Sequence, residues 1–202
     1  MVDLYSGLIS VAFSVYILIC YFIDTVLGKK GRPLTMVGYK KGSPNRKHTL
    51  SDDQNTSQPK LVFSGKVTNK SGAPIKNATL DVWHANWDGV YSVLGYNCRG
   101  VIKTNEKGEY SFETVVPGTV SLRGLLSSKR FILPRMLNFY RQAPSIQFIV
   151  SADGKTKQEQ IFTNSVNSKS GAEDKTFVKL VKTKPDDISS TEYYSGTYNF
   201  VL

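Results

Sequence analysis

The stretch that decides the fold is residues 65–92, GKVTNKSGAPIKNATLDVWHANWDGVYS. A turn cluster, NKSGAP, follows an alternating segment, LVFSGKVTN (residues 61–69), and this arrangement predicts a strand that ends in a turn. The next segment, TLDVWHAN, alternates as well, because side chains of a strand point to opposite faces in turn. Its two faces carry Leu80, Val82 and His84 on one side, and Asp81, Trp83 and Ala85 on the other.

Short segments of the same kind continue along the chain. VIKTNEKGEYSFETVV (residues 101–116) predicts a hairpin of two strands around a Gly-containing turn, and SIQFIVSADGKTKQEQIFT (residues 145–163) predicts a second pair. TFVKLVKT (residues 176–183) predicts one more strand. Strands spaced in this way are typical of an all-β sandwich rather than of a βαβ sheet. We therefore predict an all-β, immunoglobulin-like β-sandwich over residues 60–202.

The N-terminus reads as a membrane anchor. Residues 8–27, LISVAFSVYILICYFIDTVL, carry Asp24 as their only charge, and about 20 apolar residues cross a bilayer core as a helix. A cleaved signal peptide is disfavoured because the start lacks Lys and Arg and the run ends in bulky residues. A buried core helix is disfavoured because the run has no polar face. We predict a single transmembrane helix within residues 1–28.

The flanks of this run and the net charge suggest a location and partners. Basic residues follow the run and none precedes it, so the positive-inside rule places the body on the cytoplasmic side, or on its stromal or matrix equivalent. Residues 29–59 are polar without apolar periodicity and predict a flexible basic linker or arm. The net charge of +10 favours an anionic partner. No nucleic-acid module occurs, so we expect protein subunits of a membrane-associated complex, with lipid around residues 8–27.

Residues 121–142 and the C-terminal tail leave alternatives open. The first segment interleaves apolar residues with five cations, Arg123, Lys129, Arg130, Arg135 and Arg141. It is either a long connection with solvated charges or a surface that contacts lipid or a partner protein. The tail, residues 186–202, has aromatic residues on a polar background. It either packs on its own domain, which is the commoner outcome, or adds a strand to a neighbour.

Two blocks carry a resemblance to a known family. GKVTNKSGAPIKNATLDVWHANWDGVYS and CRGVIKTNEKGEYSFETVVPG are similar, in this order, to stretches of the intradiol ring-cleavage dioxygenases, non-haem ferric enzymes that open catechols between their hydroxyl groups. The resemblance covers roughly residues 60–165 and implies the β-sandwich of that family. It also implies a ferric site made by two tyrosinates and two histidines.

The ligand positions that the resemblance implies are mostly changed in this chain. The first tyrosine falls on Tyr91, and the second falls on Val120. The paired histidines fall on Ser145 and Gln147. The chain has two histidines; His48 lies in the linker, and His84 lies on a strand where the family does not ligate iron. The resemblance therefore implies a fold that has lost its ferric site, with no cofactor and no catalytic residue.

We predict a non-catalytic, membrane-anchored structural or accessory subunit of a larger assembly. Two alternatives stay open. One is a ligand-binding module that uses the former active-site pocket, lined by Trp83, Tyr91, Arg99 and Gln160, for an aromatic or sugar-like ligand. The other is a divergent metal-dependent oxygenase, which predicts a transition metal near Tyr91 and loss of activity in a Tyr91→Phe variant.

Overall fold

The computed structural model describes Val15 and residues 38–52, 58–92, 95–121, 141–163, 177–183 and 192–202. From residue 60 onward this part of the chain is all-β, as predicted. Its strands are, in chain order, β1 (Lys60–Thr68), β2 (Thr79–His84), β3 (Arg99–Lys103), β4 (Glu109–Val115), β5 (Val120–Ser121), β6 (Arg141–Gln142), β7 (Ser145–Ala152), β8 (Lys155–Thr163), β9 (Phe177–Val178), β10 (Val181–Thr183), β11 (Tyr193–Thr197) and β12 (Phe200–Val201).

Two five-stranded sheets form the sandwich. The first sheet is built on β1, which pairs with β4 along one edge and with β11 and then β12 along the other, while β10 lies outside β11. The second sheet has the order β3-β2-β7-β8-β9. Short strands β5 and β6 pair with each other, so the two ends of the 121–142 connection lie side by side.

A cluster of aromatic side chains joins the inner faces of the sheets. The ring of Phe63, on β1, lies 5.7 Å from that of Phe112 and 5.8 Å from that of Phe148 on the opposite sheet. Phe200 from the C-terminal tail lies 5.0 Å from Phe148 and 5.9 Å from Tyr110. Offset and tilted aromatic pairs at these distances are favourable beyond the area that they bury. The tail therefore packs into the core of its own domain.

The tail reaches this position along β1 in parallel register. Lys60–Ser64 pair with Tyr193–Thr197, and Val67–Thr68 pair with Phe200–Val201. Between the two runs, the amide of Tyr198 donates to the carbonyl of Ser64 at 2.9 Å. The carbonyl of Tyr198 lies where a Cβ of Gly65 would be, so only glycine allows this approach of the two backbones.

One predicted hairpin is confirmed and the other is wrong. β7 and β8 pair around a turn in which Asp153 and Gly154 have φ of 49° and 74°, as a two-residue hairpin turn requires. β3 and β4 do not pair with each other: β3 pairs with β2, and β4 pairs with β1. The Asn105 turn, closed by a 3.0 Å bond from the amide of Gly108, carries the chain from one sheet to the other. The sequence around it specifies the turn but not the partners of its strands.

The segment predicted as one strand at 176–183 forms two. β9 pairs with β8 in the second sheet, and β10 pairs with β11 in the first. Residues 179–180 between them therefore cross from one sheet to the other. This crossing and the Asn105 turn are two of the places where the chain passes from one sheet to the other.

Residues 38–52, which we call the strap, lie against the sandwich although the sequence indicates a linker there. The strap runs first beside β3, the outermost strand of the second sheet. The amide of Val101 donates to the carbonyl of Pro44 at 2.8 Å, and the amide of Arg46 donates to the carbonyl of Val101 at 2.9 Å. These bonds satisfy backbone groups of β3 that would otherwise form an open edge.

The strap then crosses to β4 in the first sheet. The amide of Leu50 donates to the carbonyl of Glu113 at 2.9 Å, and the amide of Glu113 donates to the carbonyl of His48 at 2.6 Å. The side chain of Leu50 is fully buried in the hydrophobic core. The strap therefore closes one open side of the sandwich with backbone hydrogen bonds to both sheets and one core side chain.

The predicted single-pass membrane location, with the body on the cytoplasmic side, is corrected here. Within the described ranges, no helix is long and apolar enough to span a bilayer. The prediction rested on the apolar character of residues 8–27, which, apart from Val15, lie outside the described residues. The cations Arg123, Lys129, Arg130 and Arg135 of the basic connection also lie outside them.

Candidate functional site

The candidate site is a row of side chains on the outer face of the second sheet. Trp83 on β2 is directly opposite Arg99 on β3 and Gln147 on β7, and Gln147 is opposite Gln160 on β8. Residues directly opposite each other in antiparallel strands point to the same face. Four strands therefore bring Arg99, Trp83, Gln147 and Gln160 into one line, which we call the polar row.

The polar row lies on the face of the second sheet opposite to the face that packs in the core. Leu80, Val82 and His84 alternate with Asp81 and Trp83 along β2, and Leu80 and Val82 belong to the hydrophobic core. The alternation that the sequence shows is therefore present in the structure, with the polar row and Asp81 on the face that points away from the opposite sheet.

The strap covers this outer face. The ring of Tyr39 packs edge-on against Trp83, with ring centroids 5.0 Å apart. Gly38 has φ of 74°, and a Cβ there would lie 2.5 Å from Cδ1 of Tyr91. Trp83, Tyr91 and Arg99 are only 1%, 2% and 1% exposed. The predicted pocket residues thus share one region, in which the strap packs on Trp83 and Tyr91 while Gln160 is partly exposed.

Hydrogen bonds connect part of the polar row. The amide groups of Gln147 and Gln160 both donate to Oγ of Ser145, at 3.3 Å and 3.0 Å. Nη2 of Arg99 donates to the carbonyl of Ser92 at 2.9 Å. Several buried polar atoms have no hydrogen-bond partner in the described part of the chain: Nε and Nη1 of Arg99, Oε1 of Gln147 and Oδ1 of Asp81.

The half-buried Asp81 and the buried Arg99 carry opposite charges that attract each other. Burial raises the pKa of Asp81, while hydrogen bonds from Ser43 and Tyr39 and the positive charge of Arg99 act in the opposite direction. Burial lowers the pKa of Arg99, and Asp81 acts against this effect. An arginine stays charged at neutral pH even after a large downward shift. The site therefore holds a charged guanidinium next to a carboxyl group, while Nε and Nη1 of the guanidinium have no hydrogen-bond partner among the described residues.

His84 belongs to the core instead. Its Nδ1 lies 2.7 Å from the carbonyl of Ala85, and its Nε2 lies 2.7 Å from Oγ1 of Thr114 on the opposite sheet. Burial lowers the pKa of His84 from 6.5 to about 4, so the imidazole is neutral at pH 7. His48 is exposed on the strap. Neither histidine reaches the polar row.

The ligand positions implied by the resemblance can now be compared with the needs of a ferric ion. Tyr91 would supply one phenol, but Val120 has no donor atom, and Ser145 and Gln147 offer a neutral hydroxyl and a neutral amide. These two groups already bond to each other. Fe(III) requires hard anionic ligands or imidazoles. Among the described residues, no group of three or more His, Cys, Asp or Glu side chains could hold a metal ion. The residues at these four positions do not fit ferric iron.

The fold and the polar row define an intradiol-dioxygenase-like β-sandwich, and comparison with known proteins agrees. Residues 37–177 match the family model described as Dioxygenase (Dioxygenase_C). The chain belongs to the intradiol dioxygenase-like family, which confirms the resemblance seen in the sequence.

Curated relatives are ring-cleavage enzymes by name. Catechol 1,2-dioxygenase 2 of Acinetobacter lwoffii is 34% identical over 135 residues, which cover 63% of this chain and 49% of the relative. Hydroxyquinol 1,2-dioxygenase of Rhizobium sp. (strain MTP-10005) is 30% identical over 102 residues, which cover 48% of this chain and 34% of the relative. The chain therefore spans half or less of the length of these relatives.

Solved structures share the fold. Wild-type catechol 1,2-dioxygenase of Acinetobacter radioresistens has a TM-score of 0.66 at 21% identity, covering 81% of this chain and 59% of that chain. The 3-chlorocatechol 1,2-dioxygenase of Rhodococcus opacus 1CP has a TM-score of 0.62 at 20% identity, covering 81% of this chain and 68% of that chain. At these identities the likeness concerns the fold alone.

Sequence reasoning missed two residues of the site. Asp81 was recognisable, because the alternation of TLDVWH places it on the same face as Trp83. Tyr39 was not, because residues 29–59 show no apolar periodicity that would predict packing on the sandwich. The role of the predicted site residues as a ligand pocket stays a prediction.

Proposed function

We propose that this chain is a non-catalytic member of the dioxygenase family that serves as a structural or accessory subunit of a larger protein assembly. The observation that carries the proposal is the pair Ser145 and Gln147. They occupy the strand positions where the resemblance implies two histidines, and their side chains are buried and hydrogen-bonded to each other. A hydroxyl and an amide are weak neutral donors that hold ferric iron poorly.

The rest of the site supports the same proposal. The chain has no other histidines than His48 and His84, and neither reaches the polar row. The core, in contrast, is retained, with buried aromatic residues joining the two sheets. A fold that keeps its packing but not its metal donors is expected to act through its surface. The net charge of +10 favours acidic protein surfaces as partners.

Metal content and ring-cleavage activity test the loss of catalysis. We expect the purified full chain, incubated with ferrous salt in air and desalted, to hold far less than one iron per chain. We also expect no visible tyrosinate-to-iron absorbance and no ring-cleavage product from catechol. Catechol 1,2-dioxygenase 2 of Acinetobacter lwoffii, treated in the same way, is the positive control. One iron per chain together with turnover of catechol would overturn the proposal.

The accessory role needs a separate test. The protein isolated gently from its natural source is expected to migrate on a native gel as part of a large complex with a fixed stoichiometry. A Tyr91→Phe variant should enter the complex as the wild type does, because Tyr91 then serves packing only. Migration as a lone chain at its own mass would argue against a subunit role. Loss of an activity in Tyr91→Phe would favour the divergent oxygenase instead.

A second candidate function is a ligand-binding module on the polar row. The observation that favours it is the set of buried polar atoms without partners among the described residues, on Arg99, Gln147 and Asp81. Buried polar groups are nearly always hydrogen-bonded in folded proteins, and exceptions call for a water, an ion or a ligand. This candidate is compatible with the loss of iron, and saturable binding of a small molecule by metal-free protein would support it.

A further inference from the structure

We propose that the polar row, together with Asp81, is a closed binding site for a small neutral polyhydroxy ligand of monosaccharide size. In this site Arg99 donates hydrogen bonds to ligand oxygens, and Gln147 and Asp81 accept hydrogen bonds from ligand hydroxyl groups. The inference deepens the second candidate function and rests on it. It does not depend on whether the chain is a subunit of an assembly.

Arg99 provides the donors. Its side chain is 1% exposed, and Nη2 donates to the carbonyl of Ser92 at 2.9 Å. Nε and Nη1 have none within the described residues. A buried guanidinium that leaves donors unsatisfied is strongly unfavourable. Because these N–H groups have no acceptor among the described residues, we infer that a bound ligand supplies one.

Gln147 and Asp81 provide the acceptors. Gln147 is fully buried, its amide nitrogen is engaged with Ser145, and its Oε1 has no partner in the described part of the chain. Oδ1 of Asp81 is in the same situation. Both residues lie on the outer face, with Gln147 directly across from Trp83 and Asp81 two residues before Trp83 on β2. A ligand here must therefore offer donors as well as acceptors, as hydroxyl groups do.

Charge balance selects a neutral ligand over a carboxylate. Arg99 and Asp81 attract each other, so the site is already close to neutral without a ligand. A bound carboxylate would add a second negative charge in a buried region where burial already disfavours the charge of Asp81. The desolvation of an extra ion is costly when its only cation is shared. A hydroxyl group carries no such penalty.

Aromatic side chains lie beside the donors and acceptors of the polar row. The Cα atoms of Arg99 and Gln147 are two strand spacings apart, about 10 Å, with Trp83 between them. Tyr39 packs against Trp83 from the strap, and Tyr91 is buried against Gly38. Entry requires the strap to move, because it covers Trp83 and Tyr91. Opening of a loop over a bound ligand is common on the microsecond to millisecond timescale.

The experiment is a titration of the full, metal-free chain with myo-inositol, followed by calorimetry and by tryptophan fluorescence. Glucose serves as a second polyol, and benzoate and catechol serve as the carboxylate and the aromatic diol. We expect saturable binding of at least one of the two polyols, and at least tenfold weaker binding of benzoate. A Gln147→Leu variant removes the acceptor and fills its place with an apolar side chain. It should bind the polyol at least tenfold more weakly.

Gln158→Leu is the matched control, because Gln158 lies on the same face of β8, two residues before Gln160, but outside the polar row and exposed. It should bind as the wild type does. An Asp81→Ala variant, which removes the acceptor oxygens of Asp81, serves as a second test if Gln147→Leu does not fold, and it too should weaken polyol binding at least tenfold.

Tighter binding of benzoate, binding of catechol alone, or no saturable binding of either polyol would overturn the inference. Equal binding by wild type and Gln147→Leu would overturn it too. None of these outcomes bears on the loss of catalysis, which iron content and catechol turnover decide separately.

Discussion

At the scale of single residues, the buried His84 makes the free energy of unfolding depend on pH. The imidazole bridges Ala85 and Thr114 between the two sheets, and its pKa falls from 6.5 to about 4. The unfolded chain takes up a proton below pH 6.5, whereas the folded protein takes it up only near pH 4. His84 therefore stabilises the fold fully above pH 6.5, and this contribution is lost as the pH falls toward 4.

We predict that protonation of His84 lowers the free energy of unfolding by roughly 3 kcal/mol between pH 7 and pH 4. A His84→Gln variant lacks this contribution, so its free energy of unfolding should fall less over the same pH range. Urea denaturation at several pH values measures the difference. His48→Gln, which changes an exposed histidine, is the control and should keep the wild-type loss. An equal pH dependence in wild type and His84→Gln would contradict the prediction.

At the scale of the elements, the strap is held by one core side chain and by backbone hydrogen bonds. We predict that Leu50→Ala lowers the free energy of unfolding by about 3 kcal/mol, because it removes a fully buried side chain and leaves a cavity. Val181→Ala, at a residue 56% exposed, should cost less than about 0.5 kcal/mol. Denaturant unfolding of both variants is the measurement. A similar small cost for both would mean that the strap adds nothing to the core.

Two neighbouring residues of the C-terminal tail allow a test of whether the tail belongs to the core. Phe200 is fully buried and contacts the rings of Phe148 and Tyr110, whereas Val201 is 48% exposed. We predict that Phe200→Ala costs about 4 kcal/mol and that Val201→Ala costs less than about 1 kcal/mol. Thermal and urea unfolding both report the difference. If the two variants are equally stable, β12 does not belong to the core in solution.

At the scale of the whole molecule, the strap, both sheets and the tail all contribute side chains to one hydrophobic core. We predict a single cooperative unfolding transition, with the same midpoint by far-ultraviolet circular dichroism and by the fluorescence of Trp83 and Trp87. Leu50→Ala should shift both midpoints together. Two separate transitions would show that the strap or the tail unfolds independently of the sandwich.

Local signals in the sequence predicted most of the strands but not all of their pairings. The alternation of TLDVWH and the turn residues Asp153 and Gly154 predicted β2 and the β7–β8 hairpin, because both signals act between residues that are near in sequence. The turn at Asn105 has an equally clear sequence of turn residues, yet it joins strands in different sheets. The pairing of β3 with β2 and of β4 with β1 depends on side chains far away along the chain.

By itself, the sequence determined that the body is a β-sandwich of the dioxygenase family, and it placed Ser145 and Gln147 where the resemblance implies two histidines. It did so because alternation, turn residues and motif order are local properties. Only the tertiary structure decided that the strap covers the outer face, that the tail fills the core through Phe200, and that Arg99, Trp83, Gln147 and Gln160 form one row. These features depend on strand register and on packing between distant segments, and no local pattern of residues specifies either of them.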